Sequence, residues 1–252
     1  MKRLAILWLA LCAACIELHA QETLVIGTED IEYYPHYGRA HDGDGEFAGY
    51  ARELFERFAA ESSLAVDYHP MPIKRLYQSL MVDGTIDFKY PDNANWQKAL
   101  HALKPVYYSD PVGYYMDGVM VHSDRREMSL SELRVLGIMR GFTPEPYLQA
   151  INEGRIQIRE YSKTGDMLRA LLAKRVDAAY LNIDVANYQL QQKFEAGAPI
   201  EYLPKLPSAS GEYRLSTVKH PAIIRQFNQF LRANPRLKGQ LARKYRIQPE
   251  GQ

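Results

Sequence analysis

The chain of 252 residues has no cysteine beyond its first 20 residues, because Cys12 and Cys15 are its only two. The rest of the chain therefore cannot form a disulfide bond, a thiolate metal site or a cysteine nucleophile. A surplus of charge is also missing, since 31 Lys and Arg face 30 Asp and Glu. Without Lys2, Arg3 and Glu17 both counts become 29, and no basic stripe indicates binding to nucleic acid.

Long apolar runs are rare, and Leu4–Ile16 is the clearest one, directly behind two basic residues. It is shorter than the ~20 residues that a membrane-spanning helix needs. A basic start, a short apolar stretch and a small residue at the end are typical of a secretory signal. We expect residues 1–20 to be such a signal, cleaved after Ala20, and a periplasmic location. The alternative is a lipoprotein that is cut before Cys15. Cys12, three places upstream, is a poor residue for such a cleavage site.

Two stretches that are 90 positions apart follow the same plan. Residues 81–92 and 171–182 each contain the end of an amphipathic helix, a short turn, an apolar–Asp pair and a strand with Tyr three residues after the Asp. The first stretch ends at Asp92 and the second at Asn182. Because ligands of open parallel sheets lie beyond the carboxyl ends of the strands, the repeat predicts two similar α/β lobes with a cleft between them.

The remaining pattern agrees with an α/β fold in which each lobe is a mostly parallel sheet flanked by helices. Strands are predicted at Leu24–Thr28, Leu64–Tyr68, Gly118–Val121, Leu136–Met139 and Tyr213–Val218. Helices are predicted at 50–60, after Pro72, at 129–133, from Pro144 with Thr143 as its cap, at 166–173, and twice before Tyr245, while Leu206–Gly211 is predicted to be a loop. We expect lobe 1 to comprise 21–110 and 212–252, lobe 2 to comprise 111–211, and the connections to lie near 109–114 and 206–213.

Several segments, in this order, resemble the periplasmic solute-binding proteins of the amino-acid type, family 3, which have the two-lobed type II fold. The resemblance covers nearly all of the chain after residue 20. The segments that carry it are Leu24–Thr28 with Tyr34-Pro35, Gly49–Leu54, Gly84–Asp87, Tyr108–Pro111, Gly137 with Arg140-Gly141, and Val176–Ala178.

The resemblance implies a protein that captures a small polar ligand, amino-acid-like or a small organic acid, by hinge closure and delivers it to an ABC transporter. In the family an Arg in a Thr-x-x-Arg segment holds the ligand carboxylate, and an Asp of lobe 2 holds the amino group. Here Pro91–Lys98 contains no Arg, and Asn182 stands at the lobe 2 position. The resemblance therefore does not imply an ordinary α-amino acid ligand. The expected partner is an ABC permease or a membrane sensor, and the protein is expected to be a monomer.

Candidate ligand-binding residues follow from the expected strand ends. Tyr33 or Tyr34 would cover the ligand, with packing of one ring against its own loop as the alternative. Arg140 would hold a carboxylate, and Gly141 with Thr143 at a helix start would offer free backbone N–H groups; a capped helix with a solvated Arg is the alternative.

Four further candidates come from the first lobe, and Asn182 comes from the second. Arg75 either replaces the missing family Arg or is a surface residue. Asp92 and Asn93 would bind an amine or hydroxyl groups, although Asn93 also suits a turn. Trp96, the only tryptophan after residue 20, is either a wall of the cleft or a packing anchor.

Catalytic and metal-binding patterns are largely absent from the sequence. The spacing of Asp42–Gly45 is similar to the start of a calcium loop, but the later ligands do not follow, so a solvated turn is expected. The sequence has no His-Glu-x-x-His and no Gly-x-Ser-x-Gly segment. We therefore expect no metal, no cofactor and no enzyme activity. The alternatives are a dehydratase-like periplasmic enzyme of the same fold, with His36 or Asp92 as acid or base, and a stand-alone ligand sensor.

Overall fold

A computed structural model describes residues 22–39, 46–98 and 104–247 of the chain. The predicted signal at 1–20 and the turn at Asp42–Gly45 lie outside the described residues. The strands, in chain order, are β1 (Thr23–Glu29), β2 (Glu32–Tyr33), β3 (Tyr37–Gly38), β4 (Ala65–Met71), β5 (Phe88–Asp92), β6 (Tyr107–Tyr108), β7 (Gly113–His122), β8 (Val135–Met139), β9 (Gln157–Tyr161), β10 (Ala178–Asn182), β11 (Ile200–Tyr202) and β12 (Ala209–Thr217).

Helices cover both sets of strands. The α-helices are α1 (Tyr50–Glu61), α2 (Ile73–Gln78), α3 (Leu148–Asn152), α4 (Thr164–Leu172), α5 (Ile183–Lys193), α6 (Pro221–Ala233) and α7 (Pro235–Tyr245). A π-helical turn, Ser79–Asp83, extends α2, and short 3-10 helices occupy Ser123–Arg125, Leu130–Glu132 and Glu145–Tyr147. In the described part of the chain, no helix is long and apolar enough to span a membrane.

The sheet has the strand order β4-β1-β5-β12-β7-β10-β8-β9. On one side β4, β1 and β5 are parallel, and β12 is antiparallel to β5. On the other side β9, β8 and β10 are parallel, and β7 is antiparallel to β10. Three parallel strands with one antiparallel strand thus occur twice, which confirms the predicted two-lobed α/β fold.

The two halves of the sheet meet where β7 and β12 pair. Ala209–Tyr213 of β12 pairs with Gly113–Asp117 of β7, whereas Arg214 and Ser216 of β12 pair with β5. The predicted loop at Leu206–Gly211 is therefore shorter than expected, because β7 provides a hydrogen-bonding edge from Ala209 onward. The assignment of 21–110 with 212–252 and of 111–211 to two lobes stays a prediction.

The repeated Asp residues have the same structural role in both halves. The Asp87 carboxylate accepts a hydrogen bond from the backbone N–H of Val25 in β1, at 2.9 Å. The Asp177 carboxylate accepts one from Val135 in β8, at 2.8 Å, and another from Arg134, at 2.9 Å. In return, the Asp87 and Asp177 backbone N–H groups donate to the carbonyls of Val25 and Val135. The sequence repeat is therefore a repeated clamp between neighbouring strands.

The core of the first half lies under α1, whose apolar stripe is buried as predicted. Its buried side chains are Tyr50, Ala51, Leu54, Phe55, Phe58 and Ala59. They pack with β1, β5 and α6, for instance Phe58 against Phe227 with ring centroids 5.0 Å apart. The second half has its own buried clusters around β7, β8 and β10.

The helix predicted from Pro144 has a different start from the one expected. The 3-10 helix Glu145–Tyr147 precedes the five-residue α3, and Thr143 makes no capping hydrogen bond with its side chain. Its backbone carbonyl accepts from the Glu145 N–H instead, at 2.9 Å. The expected cap at Thr143 is therefore wrong, and no long helix presents free N–H groups there.

Candidate functional site

A cavity of about 130 Å³ lies between the two halves of the molecule. The first half contributes residues from the end of β1, from β2 and β3, from α2 and from the segment after β5. The second half contributes residues from β7 and from the loop after β8, and β12 contributes one. The lining consists of Glu29, Tyr33, Tyr37, Ile73, Tyr77, Trp96, Gln97, Asp117, Gly141, Phe142, Thr143, Glu145 and Tyr213.

The loop after β8 reaches the first half at Gly141. This residue has φ +86°, in the left-handed region that favours glycine. A Cβ atom added there would lie 3.5 Å from Ile73 Cδ1 at the start of α2. Gly141 therefore allows the backbone of the second half to approach the first half closely and to form one wall of the cavity.

Aromatic rings form much of the cavity wall and contact each other. The centroid of the Tyr33 ring lies 5.1 Å from that of Tyr37 and 5.5 Å from that of Phe142. Tyr213 lies 5.6 Å from Tyr37 and 6.3 Å from Trp96. Burial raises the pKa of Tyr33 and Tyr37 well above the ordinary value, so both phenols stay neutral and able to donate hydrogen bonds.

Two carboxyl groups face this aromatic wall. Glu29, at the end of β1, is buried and accepts a hydrogen bond from the Tyr37 hydroxyl at 2.8 Å. Burial raises the pKa of Glu29 to about 7, although Lys89 and the Tyr37 hydroxyl act in the opposite direction. Burial also raises the pKa of Asp117 to about 7, against a hydrogen bond with Tyr33 and with the charge of Glu29 adding to it.

The Asp117 carboxylate is incompletely satisfied. Its Oδ1 atom is shielded from solvent and has no hydrogen-bond partner within the described residues. Since a buried acceptor without a partner costs about 1–3 kcal/mol, the position suits a donor that a bound molecule would bring. No Arg, Lys or His of the described chain lines the cavity. No group of three His, Cys, Asp or Glu in the same residues is arranged to hold a metal ion.

Two pairs of side chains connect the halves. His36 Nε2 lies 3.1 Å from Asp184 Oδ2, with the His36 side chain almost fully buried. Lys193 Nζ lies 2.8 Å from Glu32 Oε2. We call these two pairs the inter-lobe contacts. They join the β1–β3 region of the first half to α5 of the second.

Four of the sequence-predicted site residues line the cavity together. They are Tyr33, Trp96, Gly141 and Thr143. Trp96 has both roles that the sequence left open, because its ring lines the cavity and also packs against the core of the first half. The other predicted residues lie elsewhere, each for a definable reason, and their part in binding stays a prediction.

Asp92 and Asn93 are engaged within the first half rather than facing the cavity. The Asp92 carboxylate is fully buried, lies 3.2 Å from Lys89 Nζ, and accepts a hydrogen bond from the Ser216 hydroxyl at 2.6 Å. The side-chain oxygen of Asn93 accepts from the Asn95 N–H at 2.8 Å, and its amide donates to a carbonyl of β12. Asn93 therefore shapes a turn, which was one of its two expected roles.

Neither of the two candidate Arg residues reaches the cavity. Arg75 is exposed and lies 3.6 Å from Asp83 at the end of the π-helical turn. Arg140 is exposed, and it directly precedes the turn at Gly141. Both therefore have the surface position that was their alternative.

Tyr34 and Asn182 do not line the cavity. The Tyr34 ring packs 4.5 Å from Tyr188 and 5.8 Å from Tyr245, in a separate groove. Asn182 is buried and caps α5, since its side-chain oxygen accepts from the Val185 N–H at 3.1 Å. A helix cap is a frequent role for Asn.

The sequence-based prediction missed the cavity residues Glu29, Asp117, Tyr37, Tyr77 and Tyr213. Two of them had a recognisable signal. Glu29 directly follows the apolar run of β1, where the strand-end rule that selected Asp92 applies equally. Asp117 is the charged residue within the strand of Gly113–His122, and a charge inside a partly buried strand indicates a special role.

Comparisons with known proteins agree with this geometry at the level of the fold. Neither a family model nor a curated protein matches the sequence. Among solved structures, an ancestral arginine-binding protein bound to arginine is similar, with a TM-score of 0.70, 20% identity, and coverage of 90% of this chain and 99% of that one. A histidine kinase sensor domain with similarity to periplasmic binding proteins is also similar, with a TM-score of 0.72 and 18% identity. That match covers 91% of this chain and 99% of the other.

A third similar structure is an ancestral amino-acid-binding protein described as a precursor of cyclohexadienyl dehydratase. It has a TM-score of 0.68 and 20% identity, and the match covers 88% of this chain and 94% of that one. The resemblance to amino-acid-type periplasmic binding proteins is thus confirmed for the fold. The same fold occurs in proteins whose descriptions name a bound amino acid, a sensor domain and an enzyme precursor.

Proposed function

We propose that the chain is an extracytoplasmic solute-binding protein that encloses one small ligand between its lobes. The observation that supports this most directly is the cavity, because side chains of both halves line it and the chain crosses between the halves through β7 and β12. A ligand that contacts both halves stabilises only the arrangement in which they are close. The inter-lobe contacts then add to the stability of the same arrangement.

Delivery to an ABC transporter is the second part of the proposal. A small-ligand site on a two-lobed fold, combined with the signal expected at residues 1–20, fits a periplasmic protein that a permease recognises in its closed form. Uptake of a labelled ligand should fall when the gene is deleted and should return when the gene is restored. Binding without any dependence of uptake on the gene would favour a sensor partner instead.

Trp96 fluorescence and small-angle X-ray scattering test ligand capture directly. Amino acids, organic acids and amines are titrated into the protein without residues 1–20, in which Trp96 is the only tryptophan. A true ligand should change the Trp96 emission and reduce the radius of gyration, because it contacts the wall that contains Trp96 and joins the lobes. Binding heat with an unchanged radius of gyration would contradict hinge closure.

Arg140→Ala is a matched control for this experiment. Its side chain is exposed and outside the cavity lining, so the affinity for any ligand should stay within about twofold of the wild-type value. A large loss of affinity would instead place the site at Arg140, as the strand-end argument from the sequence had suggested.

A second candidate function is a periplasmic enzyme, and the two carboxyl groups favour it. Glu29 and Asp117 each have a pKa raised to about 7, which is the range in which a carboxyl group both accepts and donates protons near neutral pH. Every ligand found by titration should therefore be incubated with the protein and followed by NMR. Conversion of the ligand, lost in Glu29→Gln, would establish the enzyme; recovery of intact ligand would leave the binding protein.

A further inference from the structure

The cavity has acidic side chains and no basic one. Glu29, Asp117 and Glu145 line it, whereas no Lys, Arg or His of the described residues does. Lys89, outside the lining, is fully buried and lies 3.2 Å from Asp92. Lys89 acts on Glu29 but shares its charge with Asp92, and among the described residues no cation lines the cavity beside Asp117.

The aromatic lining suits a cation as well. Tyr33, Tyr37, Tyr77, Trp96 and Tyr213 present ring surfaces around a small volume, and such rings attract ammonium groups within about 6 Å of their centroids. Two of these rings already contact a cation of the protein. Lys89 Nζ lies 4.3 Å from the centroid of Tyr77 and 5.9 Å from that of Trp96.

A ligand with a carboxylate fits this lining poorly. A carboxylate would have to lie beside Glu29 or Asp117 without a counter-charge, since Arg75 and Arg140 are exposed and outside the lining. The segment after β8 does not replace them, because it begins a three-residue 3-10 helix whose first turn contains Glu145. Like charges in a site with few polar partners repel each other strongly.

We propose that the ligand is a small organic cation, a protonated or quaternary amine without a carboxylate, held between Glu29, Asp117 and the aromatic wall. The proposal rests on the proposed function, in that the cavity is taken to be the ligand site. The Oδ1 atom of Asp117, shielded and without a hydrogen-bond partner, would accept from or lie against the ammonium group. The Tyr37 hydroxyl, which donates to Glu29, would hold that carboxylate in position.

Proton release accompanies binding under this proposal. The groups that act on Glu29 are Lys89, Tyr37 and Asp92, and its charge also reaches Tyr33, Tyr77 and Tyr90. Tyr33 and Glu29 act on Asp117, whose charge also reaches Tyr115, Tyr180 and Tyr213. Burial, which these partners offset only in part, raises both carboxyl pKa values to about 7, so both groups exchange protons near neutral pH. A bound cation favours the carboxylates and should displace protons. Affinity for a cation should therefore rise from pH 6 to pH 8, whereas an anion would bind more tightly as the pH falls.

Isothermal titration calorimetry in two buffers of different ionisation enthalpy tests the proposal. The probes are tetramethylammonium, putrescine and agmatine, against glutamate, succinate and arginine; agmatine and arginine differ only by the carboxylate. We expect at least one amine to bind and its binding to release protons. Agmatine should bind at least about tenfold more tightly than arginine. Binding of the carboxylate probes alone, or proton uptake with any bound amine, would overturn the proposal.

Variants separate the charge of the cavity from general effects. Asp117→Asn and Glu29→Gln should each weaken amine binding by at least about tenfold, whereas Glu153→Gln, which removes an exposed carboxylate of the second half, should leave it unchanged. Circular dichroism checks that the variants fold, and the pH dependence of the wild type needs no variant. Undiminished affinity in both cavity variants would overturn the assigned site.

The same measurements distinguish this inference from the proposed function. Amine binding without a decrease in the radius of gyration would keep the cation site and reject hinge closure. Lobe closure on an amino acid or an organic acid would keep the binding protein and reject the cation. A lack of binding by every probe, in both charge classes, would reject both.

Discussion

Replacing Glu29 by Gln is expected to make the stability of the ligand-free protein less dependent on pH. Gln has nearly the same shape as Glu and keeps an oxygen that can accept from the Tyr37 hydroxyl, 2.8 Å away in the native protein. What the substitution removes is the titration of a group that is only 5% exposed. The effect on stability should therefore come mainly from the charge rather than from packing.

The magnitude follows from the pKa of Glu29, which burial raises from its usual 4.5 to about 7. The stabilisation from this higher pKa is complete below pH 4.5, where the unfolded chain also carries the proton. It is lost as the pH rises to about 7, because the folded protein must then hold a buried carboxylate. At about 1.4 kcal/mol for each pH unit, the wild type loses about 3 kcal/mol on this account between pH 5 and pH 8.

Urea unfolding at pH 5, 6, 7 and 8 measures this effect. Relative to the wild type, the free energy of unfolding of Glu29→Gln should increase by about 3 kcal/mol over this range. Glu53→Gln is the control of opposite sign: burial alone raises the pKa of Glu53, but hydrogen bonds from Lys244 and Tyr245 hold it below its usual range. That variant should be destabilised by a nearly constant amount from pH 5 to pH 8, and the deficit should shrink only below about pH 4.5, where the unfolded chain takes up the proton. A difference between Glu29→Gln and the wild type that is the same at all four pH values would refute the reasoning.

Two further predictions concern the clamps between strands and the inter-lobe contacts. Asp87→Asn and Asp177→Asn should each lower the free energy of unfolding by about 1–3 kcal/mol at pH 7. Urea unfolding towards pH 3 should show this deficit shrinking, because backbone and side-chain donors hold the pKa of both carboxylates low in spite of their burial. A deficit that grows on acidification would contradict the clamp. Asp184→Ala removes the partner of His36, 3.1 Å away, and should weaken ligand affinity in a fluorescence titration by about tenfold; an affinity within twofold of the wild type would show that this contact does not support closure.

The repeat at Asp87 and Asp177 shows which part of the fold a sequence can predict. Each of these carboxylates directly precedes its own strand and binds a backbone N–H of the neighbouring strand, so the pattern of residues indicates the pairing. The strand order and the two lobes follow from it with few alternatives. The fold was predictable because the residue pattern of the clamp is readable within each short stretch and occurs twice.

Arg75 and Asp92 show why the site was harder to predict. A strand-end rule places Asp92 near the correct edge, but it does not reveal that Lys89, three residues earlier, is buried against it at 3.2 Å. Likewise, periodicity places Arg75 in a helix, but it does not show whether the side chain faces the second half or the solvent. Which polar groups stay available depends on partners that are distant in sequence, as with Ser216 beside Asp92 at 2.6 Å.

The asymmetry between the lobes lies at a different pair of positions from the one that the repeat first suggested. Asp92 and Asn182 differ in charge, and both are engaged locally, Asp92 by Lys89 and Asn182 as the cap of α5. The Asn182 side-chain nitrogen is buried and has no hydrogen-bond partner among the described residues. Counted from the clamped residues Val25 and Val135, the ends of β1 and β8 are Glu29 and Met139, so one lobe presents a carboxyl group to the cavity where the other has an apolar side chain.

The second carboxyl group comes from outside the repeat. Asp117 belongs to the antiparallel strand β7 and lies directly opposite Asn182 in the register with β10. Asp117 thus lies one strand away from the position at which the resemblance implied an Asp, and its Oδ1 atom lacks a partner among the described residues. In the proposed site, Asp117 offers an acceptor to an amine, whereas no Arg of the described residues lines the cavity to hold a carboxylate. A cation without a carboxylate is the ligand that matches this combination.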